Sequence, residues 1–271
     1  MSGAAKRWLI RPGKPAALSA IDPSSTGGAP GGRRETEAAT TEIMARVATL
    51  HDKLWAEASR SVLLVLQAID TGGKDGTISH VLRGLNPQGV QVTSFKAPSP
   101  DELAHDFLWR VHNAAPAKGE LGVFNRSHYE DVLVVRVHGM VPEAVWRPRY
   151  AQINAFEETL TAAGTTVVKC FLLISKDEQA RRLQSRIDDP EKRWKFKRAD
   201  LEERGRWDDY MVAFEEAITA TSTKGAPWYV IPGNEKWYRN FAVSTILLDT
   251  FERLDPRYPT PPEDVAGTQI V

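Results

Sequence analysis

Asp70, Lys74 and Asp75 stand close together in the chain, interleaved with Gly72, Gly73 and Gly76 and followed by Thr77. Glycines let backbone N–H groups approach an anion without a Cβ in the way, and a helix beginning at their end adds its positive pole. A lysine there supplies a mobile point charge. The chemistry this suggests is phosphate binding. The spacing departs from the usual phosphate loop G-x-x-x-x-G-K-[ST], because Ala68 occupies the first glycine position and Asp75 the position of the metal-binding hydroxyl. The glycines alone read equally well as a strand-to-helix turn with a solvated lysine. The two carboxylates tip the balance. Asp70 and Asp75 among phosphate-binding amides would repel an anion unless a metal ion lay between.

A second constellation follows the short apolar run Leu121-Gly122-Val123-Phe124: Asn125-Arg126-Ser127-His128-Tyr129-Glu130-Asp131. Phosphate-loop enzymes commonly end the partner strand in a metal-binding aspartate; Asn125 stands there and carries no charge. Glu130 and Asp131 could supply the charge from the next helix. Asp131 alone reads better as a helix-start carboxylate favoured by the macrodipole, and His128 reads as a packed or exposed ring. A third concentration is basic. Residues 181 to 198 hold Arg181, Arg182, Arg186, Lys192, Arg193, Lys195, Lys197 and Arg198 against Asp188, Asp189 and Glu191, a local charge of +5. Arg182 and Arg186 are four apart and share a helix face. A solvated basic face is the commoner fate of such a run, but this one follows a strand, where phosphate-loop kinases carry a lid.

The elements that must hold these groups follow from periodicity. Leu63 to Ile69 is an apolar run suited to a buried parallel strand. A helix from about Glu35 to Ser59 precedes it, with Ile43, Val47, Leu50 and Leu54 on one face, and a helix over Thr77 to Leu85 follows. Further strands are expected at Gly89–Lys96, 121–124, 165–175 and Trp228–Ile231. Helices carry Leu103 to Val111, Ile153 to Leu160, Lys176 to Ile187, Tyr210 to Ile218 and Trp237 to Phe251, and 188–206 reads as a charged loop. Strands alternating with helices predict an α/β fold, a parallel sheet covered on both faces, with ligands beyond the carboxyl ends of the strands. Residues 1–34, rich in Pro and Gly, read as an extended arm with no core of its own. Residues 35–258 form the main domain, and 259–271 a loose tail.

The 271 residues are 42% hydrophobic and 26% charged, with 35 basic and 35 acidic side chains, so affinity for a polyanion must come from local clustering. No apolar run approaches the roughly 20 residues a membrane span needs, and the N-terminus lacks the apolar core of a secretory signal. The single cysteine, Cys170, cannot form an intramolecular disulfide and sits in an apolar run, which points to a buried inert thiol and a cytoplasmic protein.

The segments LQAIDTGGKDGTI, FKAPSPDELAHDFLWR, GVFNRSHYEDVLVVRVH, EQARRLQSRIDDPEKRWKF and TSTKGAPWYVIPGNEKWYRN resemble the family-2 polyphosphate kinases over essentially the whole chain. The resemblance implies a P-loop kinase-like three-layer sandwich, with a five-stranded parallel sheet and a helical lid at about 181–206. It implies reversible Mg2+-dependent phosphoryl transfer between inorganic polyphosphate and a nucleotide: AMP, ADP and ATP, with GMP and GDP as further candidates. By resemblance, Asp70 and Lys74 take the loop's aspartate and lysine roles, Arg182 and Arg186 those of lid arginines, and Lys96 and Arg126 those of basic phosphate contacts. Asp70 and Glu130 are the expected metal ligands. Gly72, Gly73, Asp75, Gly76, Thr77, Asn125, Lys192 and Lys195 complete the expected phosphate and nucleotide contacts. Many members carry Asp at the Asn125 position and Asn at the Glu130 position; NRSHYED resembles the subgroup accepting AMP as well as ADP. A homo-oligomer, dimer or tetramer, without nucleic-acid or membrane partners, is also expected. Two alternatives stay open: an ATP-dependent nucleoside-monophosphate kinase, which the missing glycine and hydroxyl disfavour, and a non-enzymatic polyanion- or RNA-binding module, which leaves Asp70 and Asp75 without a purpose.

Overall fold

β1 (Ser61–Gln67) is buried over its whole length. Its side chains alternate between two cores, Val62, Leu64 and Leu66 on one face of the sheet and Leu63 and Val65 on the other, as a strand covered on both sides requires. The computed structural model describes residues 5–262 and 265. β1 is the centre of a five-stranded sheet ordered β2-β3-β1-β4-β5, with β2 Val90–Ser94, β3 Leu121–Asn125, β4 Thr165–Leu173 and β5 Trp228–Pro232. All neighbours are parallel. Leu66 of β1 pairs with Asn125 of β3, and Asn125 with Ser94 of β2, so the strands end level. The chain runs to one side of β1 for β2 and β3 and to the other for β4 and β5, which makes the end of β1 the topological switch point where α/β sheets bind ligands.

The helices are α1 Arg33–Glu57, α2 Lys74–Val81, α3 Pro100–Leu103, α4 Trp109–Asn113, α5 Val134–Val137, α6 Glu143–Trp146, α7 Arg149–Ala162, α8 Lys176–Asp188, α9 Ala199–Gly205, α10 Trp207–Thr221 and α11 Lys236–Leu254. Side chains of α1, α2 and α11 build one core and those of α4, α6, α7 and α10 the other. The result is the expected three layers. Among the described residues no helix is long and apolar enough to cross a membrane.

Several segments differ from expectation. The helix expected to carry Leu103 to Val111 is broken, because Asp106 turns back to accept the Leu108 N–H at 2.9 Å and starts a new turn. The charged segment 188–206 is not all loop: it holds a 3-10 turn at Arg193–Lys195 and the helix α9. The N-terminal arm has no core of its own but joins both cores of the domain, through Trp8 on one face and Ala16 and Leu18 on the other. Leu9 bridges Tyr229 in antiparallel fashion, so the arm shields the β5 edge. Of the tail expected from residue 259, residues 259–262 and 265 are neither helix nor strand, and the rest lie outside the described residues. Cys170 is buried as expected, and burial pushes its thiol pKa well above the ordinary range.

Candidate active site

The turn after β1 is built by strain that few residues tolerate. Thr71 has φ 65° and Gly73 φ 105°. A Cβ on Gly72 would lie 2.4 Å from the Ala68 Cβ and 2.8 Å from the Ile69 carbonyl oxygen, and one on Gly73 would lie 2.0 Å from Arg239 Nη1. α2 starts immediately, at Lys74, earlier than periodicity suggested. The Lys74 ammonium is folded back, donating to the Ala68 carbonyl at 2.8 Å, and the residue is 8% exposed. Burial, reinforced by Arg126, lowers its pKa; Asp70, Glu130 and Asp75 pull the other way, and the balance falls at about 8. Asp75 is exposed and accepts from Asn125 Nδ2 at 2.8 Å, which ties α2 to the end of β3. Thr77 is buried, with its hydroxyl donating to the Gly73 carbonyl.

β3 delivers the second group. Arg126 adopts φ 61°, and its amide donates to the Leu66 carbonyl at 3.1 Å, so the residue is turned across β1. Its guanidinium donates to Asp70 Oδ1 at 2.6 Å. Burial works against its charge, but Glu130 and Asp70 outweigh that and raise its pKa. Glu130 sits on the 3-10 turn His128–Asp131. That turn is anchored from beneath: Tyr129 donates to Glu157 Oε1 at 2.8 Å, His128 Nε2 lies 3.3 Å from the same oxygen, and Lys169 donates to Glu157 Oε2 and to the Tyr129 hydroxyl. Burial pushes the Glu157 carboxyl up, yet Lys169 and His128 outweigh it and hold the pKa below its ordinary value. Burial lowers the His128 pKa, against the pull of Glu157.

Arg182 differs from the exposed lid arginine that its place in the basic run suggests. Its side chain is 10% exposed. It donates to the carbonyls of Thr71 at 3.0 Å, Gly233 at 2.6 Å and Asn234 at 3.2 Å, and to Glu178 Oε1 at 2.5 Å. It thereby joins the turn after β1 to the turn after β5. Arg186 faces the remainder of its own segment, 3.4 Å from the Lys195 carbonyl and 3.7 Å from Asp200 Oδ2. Lys192 pairs with Asp189 at 2.5 Å and Lys195 lies over the Trp194 ring at 5.0 Å. Lys96 is exposed just beyond β2.

Asp70, Lys74, Asp75, Asn125, Arg126, Glu130 and Arg182 are therefore brought to one sheet edge, while Arg186 and Lys195 hold to their own segment. Sequence reasoning missed Gln179, which donates to the Asp70 carbonyl at 3.1 Å, and Lys236 and Arg239 of α11. The signal for the last two was their place at the start of the helix that follows β5. One groove, about 820 Å³, is apolar, lined by Leu18, Ile21, Trp207 and Met211 among others, and includes no residue of the glycine turn. The candidate phosphate site lies elsewhere, among the polar side chains that follow β1 and β3.

A family model described as Polyphosphate kinase 2 (PPK2) matches residues 32–259. The chain belongs to that family. It is 52% identical over 266 residues to the AMP/ADP-polyphosphate phosphotransferase of Meiothermus ruber, with 98% of this chain and 99% of the relative covered. It is 50% identical to the ADP-polyphosphate phosphotransferase of Rhodopseudomonas palustris, with 79% and 78% covered. The crystal structure of polyphosphate kinase 2 from Arthrobacter aurescens TC1 superposes with a TM-score of 0.94 at 49% identity, over 97% of this chain and 94% of that one. The protein is thus an enzyme, a phosphotransferase with a P-loop kinase-like fold. Such a family implies a divalent metal. Among the described residues no group of three or more His, Cys, Asp or Glu is gathered to cage one. A hard dication bound largely through substrate phosphates and water needs only one or two protein carboxylates. Asp70 and Glu130, both acting on the Lys74 ammonium, fit that requirement.

Proposed function

We propose that this protein transfers phosphoryl groups reversibly between inorganic polyphosphate and nucleotides, converting AMP to ADP and ADP to ATP, with Mg2+ as the metal. One observation carries the reading: the Lys74 ammonium and the Arg126 guanidinium converge with the Asp70 and Glu130 carboxylates at the switch point of the sheet. Phosphoryl transfer is governed by positioning and charge neutralisation, and this is a set of groups for that task. The acceptor is itself a phosphate with a second pKa of ~6, mostly ionised at neutral pH, so no strong general base is needed. Lys74 and Arg126 hold donor and transferring group; Asp70 and Glu130 would hold Mg2+, which would supply charge to neutralise the phosphate oxygens. Arg182 holds the glycine turn in shape. Acceptance of both AMP and ADP agrees with the name of the Meiothermus relative, which matches this chain over nearly its full length.

The test is to incubate purified protein with Mg2+, long-chain polyphosphate as sole donor, and either AMP or ADP, and to separate the products. ADP and ATP formation supports the reading. Turnover with ATP but none with polyphosphate would make the protein an ordinary nucleoside-monophosphate kinase.

A further inference from the structure

Arg239 is the fourth residue of α11 and is 3% exposed, yet no carboxylate among the described residues pairs with it. Its two hydrogen bonds, from Nε at 3.3 Å and Nη2 at 2.9 Å, both go to the neutral Asn240 Oδ1. Its third nitrogen, Nη1, is pressed against Gly73, 2.0 Å from where a Cβ would stand; Arg182 Nη1 is 3.5 Å from the same point. Burial, and then the charge of Arg182, lower the Arg239 pKa to about 10. Lys236, one turn earlier, is likewise held below its ordinary value by burial and then by Arg182 and Arg239.

Arg182 has Glu178 as its counter-ion; among the described residues Arg239 has none. Burying a guanidinium beside another guanidinium is costly unless a further anion joins them. The glycine turn at that spot leaves room for no side chain of its own. We propose that Arg239 and Lys236 form a donor subsite, in which Arg239 binds a phosphate of the polyphosphate chain at Gly73 and Lys236 binds the phosphates beyond it. The chain then leaves the glycine turn across the start of α11. This rests on polyphosphate being the donor.

Calorimetric binding of tripolyphosphate and of long-chain polyphosphate tests it, with the KM for nucleotide measured alongside. Arg239→Lys keeps a cation in the fold but withdraws the fork from Gly73. It should weaken both polyphosphates by roughly tenfold, the loss of one charge-assisted hydrogen bond. Lys236→Ala, at an exposed position that starts α11, should weaken the long chain by roughly tenfold and tripolyphosphate by much less. In both, the nucleotide KM should move less than about twofold. Lys118→Ala, an exposed lysine preceding β3 at the opposite sheet edge, controls for net charge. If Lys236→Ala and Arg239→Lys bind polyphosphate no more weakly than Lys118→Ala, the subsite is wrong although the donor assignment stands. If the wild-type protein binds polyphosphate in neither form, the donor assignment fails and takes the subsite with it.

Discussion

Arg126 Nη2 and Asp70 Oδ1 lie 2.6 Å apart, a bond that joins the end of β3 to the end of β1. Each partner has a second role in the proposed reaction: the carboxylate toward a metal ion, the guanidinium toward a phosphate. Both side chains are partly exposed, 39% for Arg126 and 30% for Asp70, so solvent weakens their attraction and exchange for a stronger partner is cheap. The pair thus keeps two opposite charges in position between turnovers. The positive φ of Arg126 is the backbone cost of turning that residue toward β1.

Lys74→Ala should lower kcat/KM by roughly a hundred- to a thousand-fold, the usual loss for one preorganised charge contact. The wild-type pH profile carries a second signature. The ammonium is present below its pKa of about 8 and is lost above it. The kcat/KM for polyphosphate should therefore fall as pH rises through about 8. Bound phosphate favours the charged form, so the corresponding break in kcat should lie at higher pH. A profile flat across this range, or a folded Lys74→Ala protein that turns over normally, contradicts the assignment.

Glu130→Asn should reduce AMP phosphorylation far more than ADP phosphorylation. AMP brings one phosphate fewer to recruit a metal, so the carboxylate on the 3-10 turn matters more for it. Comparing kcat/KM for the two acceptors decides the point. Equal losses would make Glu130 a general catalytic or structural residue.

Arg182→Ala and Arg186→Ala should separate by stability. Arg182 satisfies three carbonyls in two turns and the Glu178 carboxylate of its own helix, so its loss should cost about 2 kcal/mol and also activity, because the Gly73 turn loosens. Arg186 holds one long bond and one 3.7 Å pair, and its removal should cost less than about 0.5 kcal/mol. Urea unfolding of both variants reads the difference.

Glu157→Gln should destabilise the protein by roughly 3–5 kcal/mol, since it strands the buried Lys169 ammonium. The same substitution frees the turn that carries Glu130. The denaturation midpoint measures the first effect, and the ratio of AMP to ADP turnover under conditions where the variant stays folded measures the second.

The amino-acid sequence by itself determined the parallel α/β sheet and the sheet edge that carries the chemistry. Both are local properties: apolar runs of strand length, helical spacing between them, and glycines at a turn with φ values few other residues adopt. That Asp70, Lys74, Arg126 and Glu130 come to that edge was legible for the same reason, since each lies within seven residues of the end of β1 or β3. Contacts between residues distant in sequence depend on which turns meet, and only the tertiary structure decided these. Arg182 looked like one of eight basic side chains in a solvated stretch, but the end of β5 comes within reach of the end of β1 and buries it among carbonyls. Nothing in the sequence singled out Arg239, whose guanidinium lies against Gly73, and His128 looked like a spare ring until Glu157 and Lys169 closed beneath it. Periodicity records which face of an element is apolar. It carries no record of which buried charge lacks a counter-ion, because that depends on every element packed around it.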